Sequence, residues 1–149
     1  MSRRDGHDVA IVGAGVVGST AALSLAREGL RVAIIEAHEP PAWRAEDPDL
    51  RVYAFAADAQ ALLDSLGVWP MVASARVQPY RRMRVWDAGA GGEMSFDADA
   101  FGRDCLGHIV EHALLVDRLW AAVSRNPAIQ RFCPDKLREL DQDETGVSL

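Results

Sequence analysis

The chain has 149 residues, 49% hydrophobic and 26% charged, enough for about one domain with a core of its own. This composition excludes a disordered chain, a collagen-like repeat and a small disulfide scaffold. A formal charge of -6, spread evenly along the chain, disfavours a partner bound by phosphate neutralisation, so no nucleic acid is expected.

Residues 8–12, Asp-Val-Ala-Ile-Val, are an apolar, β-branched run ended by Gly13, as in a strand buried on both faces. Gly13-Ala14-Gly15-Val16-Val17-Gly18 follows. Residues 19–28 then read as a helix, with small Ala21 and Ala22 permitting close approach to a sheet and Gly29 as its stop. Residues 31–35 are a second buried strand that ends at Glu36. Together they make a β-α-β unit of about thirty residues with parallel strands.

Residues 37–50 hold Pro40, Pro41 and Pro48 and read as an ordered loop. Leu62, Leu63 and Leu66 give helical spacing from about Asp58, closed by Gly67 and followed by Trp69-Pro70. From Tyr80 the period changes: Arg82, Arg84 and Trp86 alternate with Met83, Val85 and Asp87, residues 89–92 turn, and residues 93–97 return as a β-hairpin. A helix over 113–124 presents Leu115, Leu119, Ala122 and Val123, and residues 128–133 read as another parallel strand. Residues 136–140 and 146–149 are expected to pair around a turn at 141–145. Nothing repeats internally.

Cys105 and Cys133 have no CxxC spacing or partner cluster, which fits a reducing compartment and supports no disulfide framework. The N-terminal stretch does not read as a signal peptide, and no apolar run reaches the roughly 18 residues of a membrane span.

The chemistry sits in the first β-α-β unit. A GxGxxG between a strand and a helix has a mechanism: Gly13 permits a sharp turn, Gly15 lets backbone N–H groups approach a pyrophosphate, and Gly18 lets helix and strand pack closely. An acidic residue about twenty positions on, at the end of the second strand, receives a ribose hydroxyl pair, and Glu36 stands there. This constellation points to a dinucleotide but does not separate FAD from NAD.

Further segments occur in order: Arg51-Val52-Tyr53-Ala54-Phe55-Ala56, Leu66-Gly67-Val68-Trp69, Met83-Arg84-Val85-Trp86-Asp87, Ser95-Phe96-Asp97-Ala98 and Leu106-Gly107-His108-Ile109-Val110-Glu111-His112. Over about residues 8–123 the chain resembles the ubiquinone-biosynthesis flavin hydroxylases, within the para-hydroxybenzoate-hydroxylase-like FAD-dependent aromatic monooxygenases. The resemblance implies an α/β, Rossmann-like FAD-binding fold with the start of an antiparallel substrate-domain sheet, truncated. Residues 1–75 would form an FAD-binding segment, 76–107 the beginning of the substrate-domain sheet and 108–149 an incomplete return to the FAD-binding domain.

It also implies that the adenosine half of FAD lies on Gly13, Gly15, Gly18 and Glu36, together with Ala14, Val17 and Ala37. Arg51 would reach toward the flavin side, and Glu111 and His112 would lie near the FAD. Ala56 and Ala57 stand where such enzymes commonly carry a small hydroxyl residue. NAD(P)H would be the reductant and a polyprenylated aromatic small molecule the substrate, in the cytoplasm or peripheral at the inner membrane, with membrane or ubiquinone-pathway protein contacts. Because the cofactor carries the hard chemistry, no catalytic acid or base is assigned.

Other readings compete at several positions. Arg51 could form a surface ion pair with Glu46 or Asp49 instead of touching a cofactor, and Glu111 and His112 could serve only as caps. Arg76, Arg81, Arg82 and Arg84 could attract an NADPH phosphate or an anionic membrane, or be a solvated hairpin face. His108-Ile109-Val110-Glu111-His112 matches the H-x-x-E-H zinc pattern, but a strand would hold the histidines roughly 13 Å apart; no metal is expected. Trp69, Trp86 and Trp120 are left unassigned. The competing functions are a standalone NAD- or FAD-binding module, another flavin oxidoreductase without hydroxylation, and an α/β domain without a ligand.

Overall fold

The structure is a computed structural model that describes residues 6–89, 91–144 and 146–149. Two compact units emerge: one contains the chain through Ala42 together with Val116–Leu149, the other Trp43–Leu115.

The first unit is built on a parallel three-stranded sheet in the order β1 (Val9–Val12), β2 (Val32–Ile35), β8 (Ile129–Phe132). Val9 lies beside Val32, and Val32 beside Ile129. Central β2 is made of β-branched and small residues and buries Val32, Ala33 and Ile34, as a strand hydrogen-bonded on both sides should. The expected burial of the first strand on both faces is corrected here. Among the described residues β1 pairs with β2 alone; its residues alternate between half-buried and exposed, and Val12 is 56% exposed. Ile11 faces the helix α1 (Val16–Arg27), and alternation turns Ala10 and Val12 to the opposite face.

Helix α1 begins three residues before the expected start, because Gly15, in an extended conformation, serves as its N-cap. It ends before Gly29, whose φ of +86° suits only glycine well. The C-terminal ribbon also differs from expectation. Residues 136–140 are not a strand; β9 (Asp141–Asp143) pairs antiparallel with β10 (Gly146–Ser148). The Gly146 N–H donates to the Asp143 carboxylate at 3.0 Å, so pairing begins within the stretch read as a turn. Of that expected turn, Thr145 lies outside the described residues.

The second unit has an antiparallel sheet in the order β3 (Val52–Ala56), β7 (Gly107–Glu111), β4 (Gln78–Tyr80). Val52 pairs with Glu111 and Ala56 with Gly107. Helix α2 (Ala57–Ser65) follows β3 and is closed by Gly67 at φ +71°. A five-residue helix α3 (Trp69–Ala73), with Pro70 in its first turn, buries Trp69 and Val72. The hairpin β5 (Arg82–Trp86) and β6 (Glu93–Asp97) forms in the expected register of alternation, with Arg82 opposite Asp97 and Trp86 opposite Glu93. Ala90 of its turn lies outside the described residues. A 3₁₀ turn, Ala98–Phe101, follows. Helix α4 (His112–Arg125) starts directly after β7 and belongs to this unit through Leu115 and to the first from Val116; it buries Leu114, Leu115, Leu119, Trp120 and Val123, while Ala122 of the expected stripe is only partly covered.

Candidate cofactor site

The predicted glycine loop and Glu36 come together at the C-terminal ends of β1 and β2. The Gly13 N–H donates to the Ile35 carbonyl at 2.8 Å, and the Ala14 N–H donates to Glu36 Oε2 at 2.7 Å. Glu36 Oε1 accepts the His38 N–H at 3.1 Å. Buried Ser19, which the sequence reading did not single out, donates its hydroxyl to the Ala14 carbonyl at 2.9 Å. Both backbone polar groups of Ala14 are therefore held, its N–H by Glu36 at the end of β2 and its carbonyl by Ser19 of α1. A serine four residues after the G-x-G turn is the sequence cue to that brace.

The three glycines do different work. Gly13 has a φ of +99°, the left-handed region that a side chain rarely adopts. A Cβ on Gly18 would stand 2.0 Å from the Gly13 carbonyl oxygen, so this position is glycine for packing. Gly15 has an ordinary φ of -68°, and a Cβ there would meet no protein atom within 4 Å. Nothing in the protein itself requires glycine at that position.

Helix α1 has no side-chain N-cap bond and no acidic residue in its first turn, leaving the positive end of its dipole uncompensated. Val17 in that turn is 82% exposed, an apolar side chain left bare beside the loop. The Ala14 N–H holds the Glu36 carboxyl below its usual range; burial acts against this, and the His38 and Ala37 amides reinforce it. At neutral pH Glu36 is an acceptor only. Ala37 follows it directly at the end of β2.

The second unit gathers Arg51, Glu111 and His112 around the start of α4. The Arg51 carbonyl accepts the His112 N–H at 2.9 Å. The Arg51 side chain, 72% exposed, is paired with Asp49, whose Oδ1 accepts Arg51 Nε at 3.1 Å and whose Oδ2 accepts Arg51 Nη2 at 3.0 Å. The ion pair with Asp49 weighed from the sequence is thus present, and Asp49 also accepts the Ala113 N–H at 3.1 Å. Arg51 keeps the Asp49 carboxyl below its ordinary pKa. His112 Nδ1 and the Tyr53 hydroxyl are 2.9 Å apart.

Glu111 is buried and fully engaged by protein. Its Oε1 accepts Arg76 Nη1 at 2.6 Å, and its Oε2 accepts the Trp43 indole N–H at 3.0 Å and the Asp49 N–H at 3.3 Å. Burial pushes this carboxyl up, but the bonds from Trp43, Arg76 and Asp49 outweigh it and leave the pKa below the usual value. Trp43, Asp49 and Arg76 as partners of Glu111 were not foreseen. The short Asp-x-Arg spacing is a cue to the Asp49–Arg51 pair, whereas the bonds of Trp43, Asp49 and Arg76 to Glu111 span 35 to 68 residues and have no local cue.

The arginine cluster carries its own counter-charges: Arg76 pairs with Glu111, Arg81 with Asp99, Arg82 with Asp97 and Arg84 with Glu93. His108 lies in β7 with its ring against Trp69, centroids 5.2 Å apart. Among the described residues no three His, Cys, Asp or Glu side chains are grouped to hold a metal ion. A cavity of about 1300 Å³ on the sheet face bearing Ala10, Val12, Ala33 and Ile35 includes none of the predicted cofactor residues.

A family profile described as FAD dependent oxidoreductase (DAO) matches residues 8–81. The 3-demethoxyubiquinol 3-hydroxylase of Escherichia coli (strain K12) is 37% identical over 92% of this chain and 35% of its own length. Ubiquinone hydroxylase UbiL of Rhodospirillum rubrum is 36% identical over 95% of this chain and 32% of its own. The crystal structure of the flavin-dependent monooxygenase PieE, in complex with FAD and substrate, superposes with a TM-score of 0.70 at 23% identity, over 98% of this chain and 27% of that one, a likeness of fold. The chain spans about a third of the length of the curated relatives it matches. The chain is thus similar over residues 8–81 to the FAD-dependent oxidoreductases and over most of its length to the ubiquinone hydroxylases.

Proposed function

We propose that the full-length protein carrying this sequence is an FAD-dependent monooxygenase that hydroxylates an aromatic ring with NAD(P)H and oxygen in ubiquinone biosynthesis, its substrate a polyprenylated phenol or quinol. The observation that carries the reading is the glycine loop with Glu36 at its side, because Gly15 leaves open the space that a pyrophosphate needs. The named activities of the relatives give the reaction class.

The residues present fit FAD. Backbone N–H groups at the start of α1, with the uncompensated helix dipole behind them, suit the pyrophosphate. Glu36, ionised at neutral pH, suits a pair of ribose hydroxyls. Gly13 and Gly18 shape the loop, Ala14 and Ala37 flank Glu36, and exposed Val17 offers an apolar surface beside it. Arg51 is assigned to the flavin side of the cofactor, with His112 next to it.

When bound, the flavin supplies electron transfer from NAD(P)H to oxygen and delivery of one oxygen atom to the ring. The protein's part is to bind the dinucleotide, orient the ring and exclude water. None of the described helices is long and apolar enough to cross a membrane; a polyprenylated substrate nonetheless brings the protein's work to a membrane surface, peripheral at the inner membrane or from the cytoplasm.

The test is to purify the full-length protein, record flavin absorbance, and supply NAD(P)H, oxygen and a short-chain polyprenyl phenol. The expected result is bound flavin and a product heavier by one oxygen atom. A protein that takes up no FAD overturns the reading, and so does a flavin-loaded protein that forms no hydroxylated product from phenols or quinols.

A further inference from the structure

We propose that Glu111 is a positioning residue for Arg51 and not itself a cofactor ligand, an inference that rests on the reading of Arg51 as a flavin-side contact. Three protein donors already use its two oxygens: Arg76 Nη1, the Trp43 indole and the Asp49 N–H. At 8% exposure, Glu111 has little surface left for a cofactor hydroxyl. Two of those donors, Trp43 and Asp49, lie in one loop, and Arg76 ties to the same loop twice more. Its guanidinium lies 5.3 Å from the centre of the Trp43 ring, and its Nη2 donates to the Ala45 carbonyl.

The Asp49 N–H is where this clasp passes to Arg51. Glu111 fixes the Asp49 backbone, and the Asp49 carboxylate in turn accepts the Arg51 N–H, Nε and Nη2 as well as the Ala113 N–H in the first turn of α4. Arg51 is also held by its own carbonyl through the His112 N–H. Residues 43–50 contain no helix or strand, so these side-chain bonds supply their order. An exposed arginine loses several rotatable bonds' worth of freedom when it meets an anion, and fixing it beforehand lowers that cost. The carboxylate that does so stands sixty residues further along the chain.

The experiment measures FAD dissociation constants of the full-length apoprotein by flavin fluorescence for wild type, Arg51→Ala, Glu111→Gln and the double variant. Each single substitution is expected to weaken FAD about tenfold, the size of one charge-assisted hydrogen bond. The double variant is expected to bind within about twofold of Arg51→Ala, because Glu111 acts only through Arg51. Asp49→Asn, alone and with Arg51→Ala, should repeat the pattern, and it decides the matter where Glu111→Gln does not fold.

A double variant weakened about a hundredfold, the sum of two independent losses, overturns the proposal, since Glu111 would then act on FAD by its own route. Unchanged FAD binding in Glu111→Gln and Asp49→Asn beside a weakened Arg51→Ala overturns it while leaving the Arg51 reading intact. If Arg51→Ala alone binds FAD like wild type, the flavin-side reading of Arg51 fails, and the positioning role falls with it.

Discussion

Gly18→Ala and Gly15→Ala place the same methyl group at two points of one loop, and the structure assigns them opposite consequences. At Gly18 the new Cβ would lie 2.0 Å from the Gly13 oxygen, 3.1 Å from the Gly13 carbon and 3.3 Å from Ile11 Cγ2. Relief needs a backbone shift of more than 1 Å toward ordinary contact. The backbone that must move is pinned by the Gly13 N–H bond to Ile35 and by its positive φ. The cost belongs at the upper end for overpacked sites, about 3 kcal/mol. At Gly15 the methyl meets nothing and the φ of -68° suits alanine. Alanine is a poorer N-cap than glycine, but it also restricts the unfolded chain, so the net change stays within about 0.5 kcal/mol. Urea denaturation of the FAD-free full-length protein and FAD titration measure both effects. Gly18→Ala is expected to lose stability, and Gly15→Ala to keep it while weakening FAD by about tenfold or more. Equal destabilisation by the two, or wild-type FAD affinity in Gly15→Ala, would refute the division of labour.

Three other outcomes follow from the same geometry. Glu36→Gln should cost up to about 1 kcal/mol at neutral pH once solvent screening is allowed for. Because the Ala14 amide lowers the folded pKa of Glu36, the wild-type advantage should be complete above the unfolded pKa of about 4.3 and vanish as pH falls through the folded value; denaturant melts across that range check it, and a gap that instead grows toward acid sinks the argument. Gly107→Ala would put a Cβ 1.9 Å from the Phe55 carbonyl and 2.9 Å from the Tyr80 hydroxyl, so a loss of about 3 kcal/mol is expected, read as a lowered urea midpoint. Arg84→Ala removes an exposed pair with Glu93 and should change stability by no more than about 0.5 kcal/mol; a loss above about 2 kcal/mol would mean that the hairpin pairs hold the fold.

The glycine loop could be read residue by residue because its constraints are local. Gly13 and Gly18 are required by a turn and by a helix starting three residues later, and both requirements fall within one short segment. The same holds for Gly67 at the end of α2 and for the alternation of Arg82 to Asp87. Arg51 and Asp49, two positions apart, were within reach of the same reasoning. By contrast, the strand at Val52–Ala56 depends on a pairing partner, Gly107–Glu111, that is remote in sequence. Trp69–Ala73 is too short for a helical period to show.

By itself, the sequence determined the β-α-β unit, the parallel strand at 129–132 and the dinucleotide pattern, because strand period, small residues and positive-φ glycines act over a few positions. Tertiary structure decided the rest. It set the order of the described parallel strands, β1-β2-β8, with β2 between the other two. It also gave Glu111 to Trp43 and Arg76, at separations of 68 and 35 residues, where no local rule links donor and acceptor. Burial compels a carboxylate to find partners, but only the folded chain selects which donors are near enough to serve.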